Sequence, residues 1–111
     1  MEPEYRYRAT VKRVVDGDTV DLIVDVGFRA TIQERFRLAG IDAYEMKGEE
    51  REKGQKAKIF LRDLIEGREV LIISGKEKGK YGRWVCIIFT VTGLNINDLL
   101  VEDGHAIRRN Y

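Results

Sequence analysis

Val20, Leu22, Val24, Val26 and Phe28 alternate with mostly polar neighbours, and Tyr7, Ala9, Val11 and Val15 alternate in nearly the same way with Arg6, Arg8, Thr10 and Lys12. Successive side chains of a strand point to opposite faces, so this period of two predicts a pair of half-buried strands meeting at "DGDT", residues 16–19. Asp-Gly between alternating hydrophobic runs is a hairpin signal, because glycine supplies the positive φ of a tight turn. The segment "TIQERFRLAGI", residues 31–41, repeats the alternation through Ile32, Phe36 and Leu38 after a loose turn near residues 27–30. A three-stranded meander therefore opens the chain.

From Glu49 the period changes to 3.6. Ala57, Phe60, Leu61, Leu64 and Ile65 share one face of a helix, charges fill the other, and Gly67 stands where a helix terminates. "EVLIIS" and "WVCIIFTV" then read as short strands apolar on both faces, joined by the basic loop "GKEKGKYGR". Last, "NINDLLVEDG" offers Asn95 or Asn97 as an N-cap, an apolar set at Leu99, Leu100 and Val101, and Gly104 as a stop. The order βββαββα predicts a mainly β protein with two helices (α+β), built as a five-stranded OB-type barrel.

A length of 111 residues suits a single domain spanning residues 1–111. With 43% hydrophobic and 35% charged residues, the chain falls outside the disordered class. Twenty basic and nineteen acidic side chains leave a formal charge of +1, so any preference for a polyanion has to come from local clusters. Cys86 is the sole cysteine and lies in an apolar run, which excludes an internal disulfide and a multi-cysteine zinc site. His105 is the sole histidine, which excludes a multi-histidine metal site. No segment reads as an export signal or a membrane helix, so the expectation is a cytoplasmic protein without a membrane partner, or a secreted one if a signal preceded this sequence and was removed; a monomer is expected.

The chemistry concentrates where predicted strands end. Asp16 and Asp18 lie in "DGDT", and Asp42 and Glu45 in "GIDAYE". Hard cations take several oxygens from different chain segments, and carboxylates at strand ends can supply them; they also serve simply as solvated polar groups, and spacing alone leaves both readings open. Arg35 and Arg37 share a strand face, either as partners of nearby carboxylates or as a clamp for phosphate. "GKEKGKYGR" lacks the spacing, the Ser or Thr and the following helix of a nucleotide-binding P-loop. As a basic hairpin with Tyr81 available for stacking, it suits a single-stranded backbone or is merely a solvated lysine loop.

Taken together and in order, "VVDGDTVDL", "FRLAGIDAYE", "KYGRWV" and "NINDLLVEDGHA" resemble the staphylococcal nuclease (thermonuclease) family across nearly the whole chain. The resemblance implies an OB-type barrel that cleaves DNA and RNA with Ca²⁺, with Mg²⁺ less suited, prefers single-stranded or frayed regions, and leaves 3′-phosphate and 5′-hydroxyl ends. It implies Asp18, Asp42 and the backbone carbonyl of Ala43 as metal ligands, with Asp16 supporting the metal's water. It assigns Arg37 and Arg83 to the scissile phosphate, Glu45 to the attacking water, and Lys80 and Tyr81 to a neighbouring phosphate. The chain departs from the family pattern at Ala43, where threonine is frequent, and at Tyr44, where proline is usual. It also ends at "RRNY", where many relatives continue into a further C-terminal helix. The same barrel serves in non-catalytic modules that bind nucleic acid or protein; those have lost metal ligands or arginines that this chain retains.

Overall fold

The computed structural model describes residues 5–75 and 83–109. Lys76, Lys78, Lys80, Tyr81 and Tyr111 lie outside them. Among the described residues, seven strands and two α-helices follow one another as β1 (Tyr5–Asp16), β2 (Thr19–Asp25), β3 (Thr31–Leu38), β4 (Ile41–Ala43), α1 (Arg51–Ile65), β5 (Glu69–Ser74), β6 (Trp84–Thr90), α2 (Ile96–Glu102) and β7 (Ala106–Arg108), with a 3-10 turn at Gly48–Glu50 before α1. Strands β1, β2, β3, β6 and β5 close a barrel in that order, and β4 pairs with β7 in a separate two-stranded sheet. The predicted mainly β barrel with two helices is thus observed, and the β4–β7 ribbon is added to it.

The barrel interior is filled by the inward set Val11, Val14, Val20, Leu22, Val24, Phe36, Leu38, Val70, Ile72, Cys86 and Ile88, all at most 3% exposed. Helix α1 closes it with Ala57, Leu61 and Ile65, and α2 adds Ile96 and Leu100. Strands β5 and β6 are apolar on both faces, with the inner face buried and the outer one only partly so. Leu71 is 38% exposed between buried Val70 and Ile72, because a barrel this small has one interior and no described residue covers that part of its outer wall.

In β1 the buried residue is Val14, not the expected Val15. The β1–β2 register slips between Val11 and Arg13 and again between Val14 and Asp16, and each extra residue inverts the inward phase. The alternation of β2 also stops short of Phe28. Gly27, Phe28 and Arg29 all have positive φ, with Ala30 N–H donating to the Gly27 carbonyl at 2.9 Å. This tight turn leaves Phe28 wholly exposed and Ile32 44% exposed.

Asn95, not Asn97, caps α2: its side chain accepts from Asp98 N–H at 3.0 Å. Asn97 is buried instead. Its Oδ1 accepts from Ile88 N–H at 3.1 Å, and its Nδ2 donates to the carbonyls of Ala39 and Cys86 at 3.0 and 3.2 Å. One amide thereby ties α2 to β6 and to the turn between β3 and β4, which carries the chain towards Asp42.

Candidate active site

Asp16 and Asp18 flank the β1–β2 turn, which is shaped by a close approach. Gly17 does not have the positive φ expected of it. A Cβ there would lie 2.7 Å from the Ala43 Cβ and 2.9 Å from the Ala57 Cβ, closer than real side chains come. Glycine at 17 therefore lets the turn press between β4 and α1, and this contact places the two acidic segments side by side.

The contact is completed by hydrogen bonds. Asp18 Oδ2 accepts from Ala43 N–H at 3.0 Å, Asp18 Oδ1 accepts from the Thr19 hydroxyl at 3.1 Å, and Asp16 Oδ1 accepts from Asp18 N–H at 3.1 Å. Arg37 enters from the end of β3. Its Nη2 donates to Asp42 Oδ1 and lies 3.6 Å from Asp18 Oδ2, while Nη1 donates to the Leu38 carbonyl at 3.3 Å. Arg35, two residues earlier, turns to Asp21, its Nε 2.8 Å from Oδ1. The two arginines thus divide between the readings left open above. Arg35 is the partner of a carboxylate on the sheet's outer face, which lowers the pKa of Asp21, and Arg37 belongs to the cluster.

The β4–β7 ribbon supplies a cation that sequence reasoning left outside the main site. Ile107 pairs with Asp42, and Arg109 Nε donates to Asp42 Oδ2 at 2.9 Å. Three-residue strands carry too little periodicity to announce themselves; the only sequence signal was the basic pair Arg108 and Arg109. Around these groups opens a cleft of about 610 Å³, lined by Asp16, Asp18, Arg37, Asp42, Ala43 and Glu45 together with Arg83, Arg109 and neighbouring residues. Every described residue that the resemblance singles out lines it; Lys80 and Tyr81 fall outside the described residues.

Electrostatics set Asp18 apart. Burial above all, helped by the adjoining Asp16 carboxyl, pushes its pKa up to about 6, against the opposing pull of the Ala43 N–H and Arg37. A buried carboxyl resisting ionisation beside a second carboxyl is relieved by a nearby cation. The donors available are all oxygens, which suits a hard ion such as Ca²⁺ or Mg²⁺. Among the described residues, no three acidic, histidine or cysteine side chains stand close enough together to enclose a metal unaided. The oxygens of Asp18, Asp42 and the Ala43 carbonyl could fill only part of such an ion's shell, the rest falling to water and a ligand oxygen.

The closed five-stranded barrel, with carboxylates and arginines gathered in one cleft, places the chain among the OB-type proteins. Within that group the relationship is specific: the family model described as "Staphylococcal nuclease homologue" matches residues 35–111, and the chain belongs to that family. It is 36% identical over 113 residues to a protein named micrococcal nuclease from Shigella flexneri, covering 95% of this chain and 60% of the relative. It is 30% identical over 96 residues to an uncharacterized endonuclease of Escherichia coli O157:H7, covering 86% of this chain and 57% of the relative. A match at 34% identity over 113 residues to endonuclease YhcR of Bacillus subtilis (strain 168) covers 93% of this chain and 9% of that protein. The chain thus spans about 60% or less of the length of these relatives. No helix among the described residues is long and apolar enough to cross a membrane.

Proposed function

We propose that the cleft hydrolyses phosphodiester bonds of DNA and RNA in a Ca²⁺-dependent reaction, favouring single-stranded or frayed regions and leaving 3′-phosphate and 5′-hydroxyl ends. The observation that carries this reading is the convergence of Asp16, Asp18, Arg37, Asp42, Glu45 and Arg83 on one cleft in a chain of the nuclease family. Single-stranded substrate fits because the phosphate must enter a recess at the barrel's end, which an extended duplex reaches less readily.

Asp18, Asp42 and the Ala43 carbonyl would hold the ion, with Asp16 accepting hydrogen bonds from its water. When bound there, a calcium ion supplies positive charge that polarises the phosphate and offsets the acidity of the cleft. Arg37 and Arg83 bind the phosphate oxygens and stabilise the charge that gathers on them as phosphorus becomes five-coordinate. Glu45 accepts a proton from the attacking water. The new oxygen–phosphorus bond forms as the bond from phosphorus to the 5′ oxygen breaks, and that oxygen takes up a proton to become the hydroxyl. Arg37 stands beside Asp42 and Asp18, within the cleft where the phosphate would be held.

The test is cleavage of end-labelled single-stranded DNA and RNA with Ca²⁺, with Mg²⁺ and with chelator, reading the product ends. Calcium-dependent cutting with 3′-phosphate ends supports the reading. A folded protein that cuts neither substrate under any of the three conditions rejects it in favour of a module that binds without cleaving.

A further inference from the structure

Glu45 projects from an exposed segment between β4 and the 3-10 turn, where no strand or helix fixes the backbone. A residue that handles the attacking water has to be aimed, since an error of about 1 Å in placement costs on the order of 10²-fold in rate. The structure supplies the aim from α1.

Gly54 sits in the first turn of that helix and is buried. A Cβ on it would overlap the carbonyl carbon and oxygen of Glu45 and lie 2.8 Å from Met46 N. The peptide joining Glu45 to Met46 therefore rests directly on the helix backbone, at the one position without a side chain. Glycine inside a helix costs about 1 kcal/mol relative to alanine, so its use here has a packing reason. On the other side of the same residue, Glu45 N–H donates to Glu50 Oε1 at 3.0 Å. Further along, Tyr44 N–H donates to the His105 carbonyl at 3.4 Å, and Lys53 Nζ lies 5.0 Å from the centre of the Tyr44 ring. His105 in turn packs against Phe60 of α1, their ring centres 4.4 Å apart.

We propose that Gly54 and Glu50 are positioning residues that seat the Glu45 backbone on α1 and so direct its carboxylate into the cleft. The proposal rests on the reading of Glu45 as the group that handles water. Gly54 acts by leaving room for the Glu45 carbonyl, and Glu50, whose side chain also lines the cleft, by holding the Glu45 N–H.

The experiment compares Gly54→Ala, Glu50→Ala, Glu45→Gln and the double variant Gly54→Ala/Glu45→Gln. Amide resonances, kcat and KM are measured for each on single-stranded DNA with Ca²⁺. Gly54→Ala should lower kcat by about 10²-fold with little change in KM, and should add nothing in the Glu45→Gln background. It should also displace the Glu45 and Met46 amide resonances far more than those of the barrel strands. Glu50→Ala changes an exposed side chain and keeps the fold. Its kcat should fall by about tenfold, with the Glu45 amide shifted, which keeps the test decisive even where Gly54→Ala does not fold.

A folded Gly54→Ala protein with parental kcat and unmoved Glu45 and Met46 amides overturns the proposal, as does a Gly54→Ala penalty undiminished in the double variant. Parental kcat and an unmoved Glu45 amide in Glu50→Ala remove Glu50 from the seat. If Glu45→Gln cuts at the parental rate, the role given to Glu45 fails and the positioning proposal with it. If the parent cuts nothing, the proposed function fails, while the amide shifts still report whether the seat exists.

Discussion

Asp18 bears two opposing demands. Its carboxyl is buried beside Asp16 and its pKa is raised from 3.8 to about 6, so between those values the folded, metal-free protein holds a proton that the unfolded chain releases. The stabilisation from that proton is full below pH 3.8 and is lost as the pH rises through 6; above that, the ionised group weighs against folding. Asp18→Asn removes the ionisation together with one of the two oxygens that accept from Ala43 N–H and the Thr19 hydroxyl, so in chelator its effect on stability should be more favourable at pH 8 than at pH 4 by on the order of 1–3 kcal/mol, while calcium binding weakens. Urea titrations at the two pH values check this, and an equal change at both would assign the effect to something other than the charge. Arg83→Ala, with the phosphate contact gone, should lower kcat by about 10²-fold to 10³-fold with the melting temperature nearly unchanged; parental turnover in the folded variant removes Arg83 from the mechanism. At this scale the sequence was partly legible. "DGDT" and "GIDAYE" were visible as acidic strand ends, but the alternation of β3 could not separate Arg35 from Arg37, because what divides them is which carboxylate faces each across space: Asp21 for one, Asp18 and Asp42 for the other. Gly17 was expected to serve its own backbone angle and in fact serves a neighbour's Cβ, a reason invisible without tertiary contacts.

Elements whose pattern is long were predictable, and short or bulged ones were not. The 3.6 period identified α1, and Gly67 stands just beyond it with φ +77° as a helix stop should. The bulges in β1 shift burial from Val15 to Val14, and no local letter marks them. The β4–β7 ribbon was missed for its length, although it carries Asp42 and brings Arg109 to it. Tyr44 illustrates how element packing replaces a local constraint. Where the family pattern leads one to expect proline to stiffen the chain before Glu45, this chain has an N–H that reaches the His105 carbonyl and a ring beside Lys53. Two predictions belong here. Phe28 and Arg29 occupy the central positions of a hairpin turn at φ +57° and +61°, a region that costs an ordinary side chain about 1 kcal/mol or more and that Asn-Gly fills readily. Phe28→Asn combined with Arg29→Gly should therefore raise stability by about 1–2 kcal/mol, read as a higher melting temperature; no gain would mean that other contacts of the turn compensate. Asn97→Ala should cost about 2–4 kcal/mol, because it strips partners from Ile88 N–H and from two carbonyls in the interior. A loss below 1 kcal/mol would show that water replaces the amide.

For the whole molecule the difficulty is charge. A net charge of +1 gives a polyanion little reason to approach, yet the proposed substrate is a polyanion. The fold answers by segregation: β3 delivers Arg37, the residue before β6 is Arg83, and the residue after β7 is Arg109, so three guanidinium groups from distant segments meet in one cleft. The carboxylates gathered with them cancel much of their field, so under the proposed calcium-dependent reaction metal and substrate are coupled, and each should bind more tightly in the presence of the other. Attraction that is local should still release counterions, but few of them. With a non-hydrolysable single-stranded oligonucleotide and Ca²⁺, two or three phosphate contacts predict that log K falls with log salt at a slope of about −1.4 to −2.1, since each contact contributes about −0.7 on a single strand. Arg83→Ala should make the slope shallower by about 0.7 as well as weakening binding. A slope near zero would mean that the cleft does not hold phosphate. An Arg83→Ala protein that keeps the parental slope would place the contacts elsewhere, and the basic segment with Lys76, Lys78 and Lys80 would be the one to neutralise next.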